Sequence, residues 1–159
     1  MVGSTTDTTL PRRNVGAIDH LVLAYRDAES QSEARAQFSE LLGVDDWDDL
    51  GELEEAGVRV FVSWSSGLEL LAPTRANSMI ERHLAERGEG VFSVVVGVSD
   101  LDAAVEHVRS SGGRAEYFPP PPRQVAARFA VAREALVVGK VGGLALVLGE
   151  FAPRAEATR

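Results

Sequence analysis

Ala17-Ile18-Asp19-His20-Leu21-Val22-Leu23-Ala24 reads as a β-strand of aliphatic and branched residues, with Ile18, His20, Val22 and Ala24 on one face. A helix is predicted next over Asp27–Leu42, because Ala34, Phe38, Leu41 and Leu42 recur at helical spacing and Gly43 follows as a stop. Three further strands, Trp47–Leu53, Val58–Trp64 and Leu68–Ala72, are marked off by Gly57 and the Ser65-Ser66-Gly67 turn, and Pro73 closes the set. The order is β-α-β-β-β.

After a helical segment at Asn77–Arg87, striped by Met79, Ile80 and Leu84, the same order begins again. Val91–Val98 is a strand, Asp100 caps a helix over Leu101–Ser111, and Gly112-Gly113 closes it. Strands are then expected at Arg114–Phe118, at Val125–Val131 or Ala135–Val138, and at Leu144–Leu148, with Pro119–Pro122 as a stiff extended loop. Residues 17–73 and 91–151 are therefore two copies of one plan, joined by 74–90. Residues 1–14, rich in Thr, Gly and Arg, read as a disordered lead-in without the apolar core of a signal peptide, and 152–159 as a tail. Each copy has one helix to cover an apolar sheet face, so the sheets must curl together and leave a cleft. The expected fold class is α+β: two βαβββ modules forming paired half-barrels.

Composition narrows the partners. The 159 residues carry a formal net charge of −8, which argues against nucleic acid or an anionic membrane surface as a partner. No cysteine is present, so disulfides, thiolate nucleophiles and thiolate metal sites are excluded. No apolar run approaches the ~18 residues of a membrane span. A cytoplasmic protein with a small-molecule ligand is the expectation.

Two polar residues interrupt apolar strands: His20 in the first, and Glu69 between Leu68 and Leu70 in the fourth. A histidine there can be a hydrogen-bonded structural residue, and a glutamate can point from a strand's wet face. Buried, however, a carboxylate costs several kcal/mol unless it is paired, hydrogen-bonded or metal-bound. A curled βαβββ sheet can bring the first and last strands of a module together. One imidazole and one carboxylate on its concave face make half of a divalent metal site.

Ile18-Asp19-His20-Leu21-Val22, Leu42-Gly43-Val44 and Gly67-Leu68-Glu69-Leu70-Leu71-Ala72-Pro73 resemble the vicinal oxygen chelate superfamily, and Val98–Ala104 with Gly142-Gly143-Leu144 continue the likeness. It covers about residues 17–150 and is nearest to methylmalonyl-CoA epimerase and lactoylglutathione lyase-like proteins. The resemblance implies four metal ligands, two from each module. His20 and Glu69 match the first pair. The second pair falls on Ser93 and Val147 (or, with a two-residue slip, Ala145), none of which can replace the family's ligands. His83 and His107 lie in helices expected to pack outside the sheets. The expected cofactor is none, or a weakly held divalent metal. The resemblance also implies a carboxylate base on the middle strand of the first module, where this chain reads Gly57-Val58-Arg59-Val60-Phe61, without an acid. The missing base speaks against true methylmalonyl-CoA epimerase activity, and the missing second pair against extradiol dioxygenase activity, which needs a His-His-Glu iron triad.

Glu69 remains the candidate general base, with His20 to orient it or to act as acid. Ser93, Arg59, Arg128, Lys140 and Tyr117 are candidate substrate-binding residues; Arg133 and Glu116 are further candidates for the cleft mouth. Each cation can equally be a solvated surface charge. The sequence supports a lyase, isomerase or epimerase acting on a small oxo or acyl-CoA-like substrate. The alternatives are a metal-free small-molecule sequestering protein and a scaffold with a vestigial cleft. A homodimer is expected, because open half-barrels need a partner surface and the resembled family commonly pairs.

Overall fold

The computed structural model describes residues 15–154. The lead-in at 1–14 and the tail from 155 onward lie outside the described residues. Strand β1 (Val15–Ala24) leads to helix α1 (Ala28–Leu42), then β2 (Trp47–Leu53), β3 (Val58–Ser63) and β4 (Leu68–Pro73). Helix α2 (Met79–Arg87) connects to β5 (Gly90–Val98), α3 (Leu101–Ser110), β6 (Ala115–Tyr117), α4 (Arg123–Arg128), β7 (Phe129–Val141) and β8 (Leu144–Pro153). Capping sets the helix starts, at Asp100 as the sequence implies and at Asp27, the first residue of the predicted helix, which is its cap instead. Asp27 accepts from the Ser30 amide at 2.8 Å, and Asp100 from the Ala103 amide at 2.9 Å.

All eight strands form one sheet in the order β2-β3-β4-β1-β5-β8-β7-β6. The order is symmetric about the antiparallel β1–β5 seam. Within each half the first strand pairs in parallel with the last, β1 with β4 and β5 with β8. This is the α+β fold of two facing modules, and the repeat in the sequence is its cause. One departure lies in the second module. Of the two placements offered for the middle strand, Val125–Val131 is in part the helix Arg123–Arg128, whereas Ala135–Val138 lies within a strand that runs thirteen residues from Phe129. Strand β8 also continues through Ala152 and Pro153, which the sequence reading placed in the tail.

Alternation along the strands divides the core in three. On the outer face, Leu23, Phe61 and Leu70 are buried in the first module, with Phe38 of α1 against them. Val98, Ala135, Val137 and Leu148 pack with Leu101, Ala104 and Val105 of α3 in the second. The largest cluster lies on the inner face and spans both modules: Val22, Val60, Val62, Leu71, Val95 and Val147, closed by Ile80 of α2 and Val125 of α4. The face expected to be an open cleft is thus partly filled by α4 and by the rings of Trp64, Phe129 and Phe151. Helix α1 buries Gln31 and Ala34, whereas Leu41 and Leu42 in its last turn are exposed. Gln31 donates through Nε2 to the carbonyls of Arg59 (3.0 Å) and Leu70 (2.7 Å), fixing the helix on β3 and β4. No helix among the described residues is long and apolar enough to cross a membrane.

Candidate active site

Strands β1 and β4 put His20 and Glu69 side by side. The parallel register sets Val22 against Glu69, and the β3–β4 turn folds back so that the Leu21 amide donates to the Gly67 carbonyl at 2.9 Å. Gly67 has φ +64°, and a Cβ there would stand 2.8 Å from the Asp19 carbonyl oxygen. Only glycine permits so close an approach in that conformation. His20 Nε2 lies 3.2 Å from Glu69 Oε2, while Nδ1 lies 2.8 Å from Asp19 Oδ1. The imidazole is 7% exposed and the Glu69 side chain 23%.

Burial on its own would lower the pKa of His20. The hydrogen bond and charge of Glu69, the hydrogen bond of Asp19 and the charge of Glu134 outweigh it and raise the group to about 9. His20 is therefore an imidazolium at neutral pH, clamped between two carboxylates. Burial pushes Glu134, on β7, up to about 7; the Glu69 charge adds to this and the His20 charge opposes it. Three strand steps separate β7 from β1, roughly 14 Å in a flat sheet. The electrostatic reach of Glu134 to His20 and Glu69 therefore reflects the curl, which turns β7 to face β1 across the concavity.

The wall of the concavity is aromatic. The Phe151 ring lies 5.9 Å from the His20 ring, Phe129 lies 5.5 Å from Phe151, and Trp64 lies 5.1 Å from Phe129. Arg128 covers Trp64 at 5.6 Å and pairs with Asp48 at the outer end of the row. Gly149 makes room for this wall, since a Cβ there would stand 2.5 Å from the Phe151 ring and 2.8 Å from a Val95 methyl. Gly149→Ala is expected to destabilise the fold by about 1–3 kcal/mol, the usual cost of forcing extra bulk into a packed site. Urea unfolding would measure it, and an unchanged midpoint would mean that the ring moves away freely. An open cavity of 350 Å³ adjoins the row, lined by Pro121, Ala126, Phe129, Ala132, Arg133 and Arg154.

The structure brings together some of the residues singled out from the sequence and separates others. Ser93 is buried on β5 against Val22, two strands from Glu69 with β1 between them. Val22, two residues after His20, pairs with Glu69; Val95, two residues after Ser93, pairs with Val147. Arg59 lies on the outer face, bound to Asp49 at 2.6 Å and set against the Phe61 ring. Tyr117 is also outside, its hydroxyl donating to Asp102 of α3 at 2.7 Å beside Arg133, which holds the same carboxylate. Glu116 is exposed and pairs with Arg114 at 3.0 Å. Lys140 is exposed near the end of β7; burial lowers the pKa of His83, and the charges of Lys140 and Arg87 add to this. His83 is half-buried against Phe92, ring centroids 5.1 Å apart, whereas His107 is exposed as expected.

The family model of the glyoxalase/bleomycin resistance protein/dioxygenase superfamily matches residues 19–132. The chain belongs to this superfamily. Methylmalonyl-CoA epimerase from Mycobacterium tuberculosis is similar in structure, with 27% sequence identity, a TM-score of 0.67 and coverage of 92% of this chain and 95% of that one. A variant of the Streptomyces coelicolor methylmalonyl-CoA epimerase, in complex with 2-nitronate-propionyl-CoA, has 27% identity and a TM-score of 0.68 over 86% of this chain and 97% of that one. A hypothetical protein from Bacillus halodurans shares the fold at 21% identity and a TM-score of 0.65, covering 91% of this chain and 99% of that one. No curated protein matches the chain.

Members of the superfamily typically hold a divalent metal, and the residues here do not fit a four-ligand site. Ser93 and Val147 supply neither an imidazole nor a carboxylate, which leaves His20 and Glu69 as half of the donor set. The inner-face chemistry that remains is an imidazolium and the carboxyl groups of Asp19, Glu69 and Glu134.

Proposed function

We propose that the protein moves a proton at a carbon next to a carbonyl, in an epimerase- or isomerase-type reaction on a small oxo acid or acyl-CoA thioester. The observation that carries this reading is the Asp19–His20–Glu69 arrangement on the inner face, 2.8 and 3.2 Å between its members. Glu69 as carboxylate takes the proton from carbon; the C–H electron pair moves into an enolate, its charge on the carbonyl oxygen. As Glu69 becomes neutral, the His20 N–H it held is free to donate to that oxygen. Asp19 keeps the ring oriented and cationic. A fixed donor aimed at developing negative charge is worth several kcal/mol in a water-poor site. Similarity to methylmalonyl-CoA epimerases supports an acyl thioester as the substrate class. The adjoining cavity leaves space for a substrate tail, with Arg154 and Arg133 in its lining to meet negative charge.

The test is epimerisation of single enantiomers of 2-methyl-branched CoA thioesters, beginning with methylmalonyl-CoA and followed by chiral chromatography. Glu69→Gln is expected to slow it by about 10²–10⁴-fold, the usual contribution of a positioned acid–base group. Wild-type protein without activity on thioesters and 2-oxo acids would overturn the reading. The aromatic row from Trp64 to Phe151 favours one other reading, a metal-free binding protein that stacks a flat apolar ligand. Tight binding of such a ligand without any proton transfer would establish it. We also infer a cytoplasmic homodimer, supported by the cysteine-free composition and by exposed Leu41, Leu42, Val91 and Leu144.

A further inference from the structure

We propose that Glu134 is a second acid–base residue, delivering and taking protons on the face of the substrate carbon opposite to Glu69. The inference rests on the proton-transfer reading above and adds a residue to it. Glu134 lies on β7 in the inner-face set: Ala132 and Leu136, two residues either side, pack into the inner-face core, whereas Ala135 packs outward against α3. It is opposite Gly149, which bears no side chain to block it, and beside the Phe151 ring that Gly149 accommodates. Among the described residues its carboxyl has no ion-pair partner, in contrast to Asp19 and Glu69, both of which hold His20. A carboxyl in such a place is costly to keep charged.

Symmetry between the modules gives Glu134 a place in the reaction. Val62 pairs with Glu69, and Val60, two residues earlier, with Leu71; Leu136 pairs with Val147, and Glu134, two residues earlier, with Gly149. Glu134 therefore occupies in the second module the position that Val60 occupies in the first. Val60 lies on the middle strand that lacks the acid expected from the family resemblance. The carboxyl is present on the other wall, facing His20 and Glu69 across the curl. Its elevated pKa keeps a share of it protonated near neutrality, as a proton donor needs.

The step balances without a further reactant. Glu69 removes the proton from one face, leaving the enolate under the His20 N–H, and Glu134 transfers its own proton to the same carbon from the other face. Glu69 ends neutral and Glu134 ionised; reaction from the other enantiomer, or exchange with water, restores both. Two acid–base groups on opposite walls predict a division of labour between enantiomers. Each enantiomer of the thioester is incubated in deuterium oxide with wild type, Glu69→Gln and Glu134→Gln, and deuterium at the substrate carbon is read by mass spectrometry. Wild type exchanges both enantiomers. Glu69→Gln retains exchange of one only, Glu134→Gln of the other only, each loss being about 10²-fold or more. Glu134→Asp, which retracts the carboxyl by one methylene, slows the same enantiomer as Glu134→Gln and serves if the glutamine variant folds poorly. If Glu134→Gln exchanges both enantiomers at wild-type rates, Glu134 has no such role although the proton-transfer function stands. If wild type exchanges neither, both fall together.

Discussion

The double variant Ser93→His, Val147→Glu is expected to bind Co²⁺, Ni²⁺ or Mn²⁺ on the order of 10³–10⁴-fold more tightly than wild type. A four-ligand zinc site contributes roughly 10–16 kcal/mol of apparent binding energy, or about 3 per ligand. Two added ligands therefore bring several kcal/mol. The register supports the placement, since Val95 stands to Val147 as Val22 does to Glu69. His20 must give up its proton to ligate, and with its pKa at about 9 the affinity of both proteins should rise between pH 7 and 9. Ser93 and Val147 are buried, so larger side chains there will cost about 1–3 kcal/mol in packing, which metal binding should recover. Titration calorimetry and melting shifts measure both quantities. In wild type the same ions are expected to move the melting temperature little. A folded double variant with no gain in affinity would mean that these two positions do not meet His20 and Glu69.

Much of this frame is legible in the sequence because it is local. The alternation around His20 and Glu69, the cap at Asp100 and the stop at Gly43 are decided within a few residues, and the repeat of β-α-β-β-β supplies the pairing plan. What escaped depends on register or on distant strands. Helix α4 is six residues long, too short for a 3.6-residue period to declare itself, and Val125, Phe129 and Val131 together read as strand. The faces of Arg59 and Tyr117 depend on a pairing register that composition does not state. Asp19 and Glu134 matter through geometry: one reaches back to Nδ1 of the next residue, the other arrives over three strands by the curl of the sheet. The signal available for Glu134 was an acid flanked at alternate positions by Ala132 and Leu136, the same kind of interruption that marked Glu69. Its meaning depended on knowing that this strand faces His20.

His20→Gln should destabilise the protein most at mildly acidic pH, with the gap to wild type closing as pH rises. Removing one partner of a buried pair leaves the other charge uncompensated, a loss of about 3–5 kcal/mol where the pair is fully formed. Here Glu69 and Asp19 would be left facing each other, with Glu134 nearby. Because the folded pKa of His20 is about 9 and the ordinary value of the group is 6.5, its contribution is fully present below 6.5 and is lost as pH rises through 9. The difference corresponds to at most about 3 kcal/mol. Glu134 acts in the same direction over a lower window. Its folded pKa of about 7 against 4.5 favours the folded state at low pH, and this advantage disappears as pH rises through 7. Wild type should therefore lose stability in two stages between about pH 5 and 9, and Glu134→Gln should remove the first stage while His20→Gln removes the second. Urea unfolding at pH 5, 7 and 9.5 separates them. A His20→Gln deficit that stays constant or grows toward pH 9.5 would show that the imidazole is held neutral, and with it the oxyanion role assigned to its N–H would be lost.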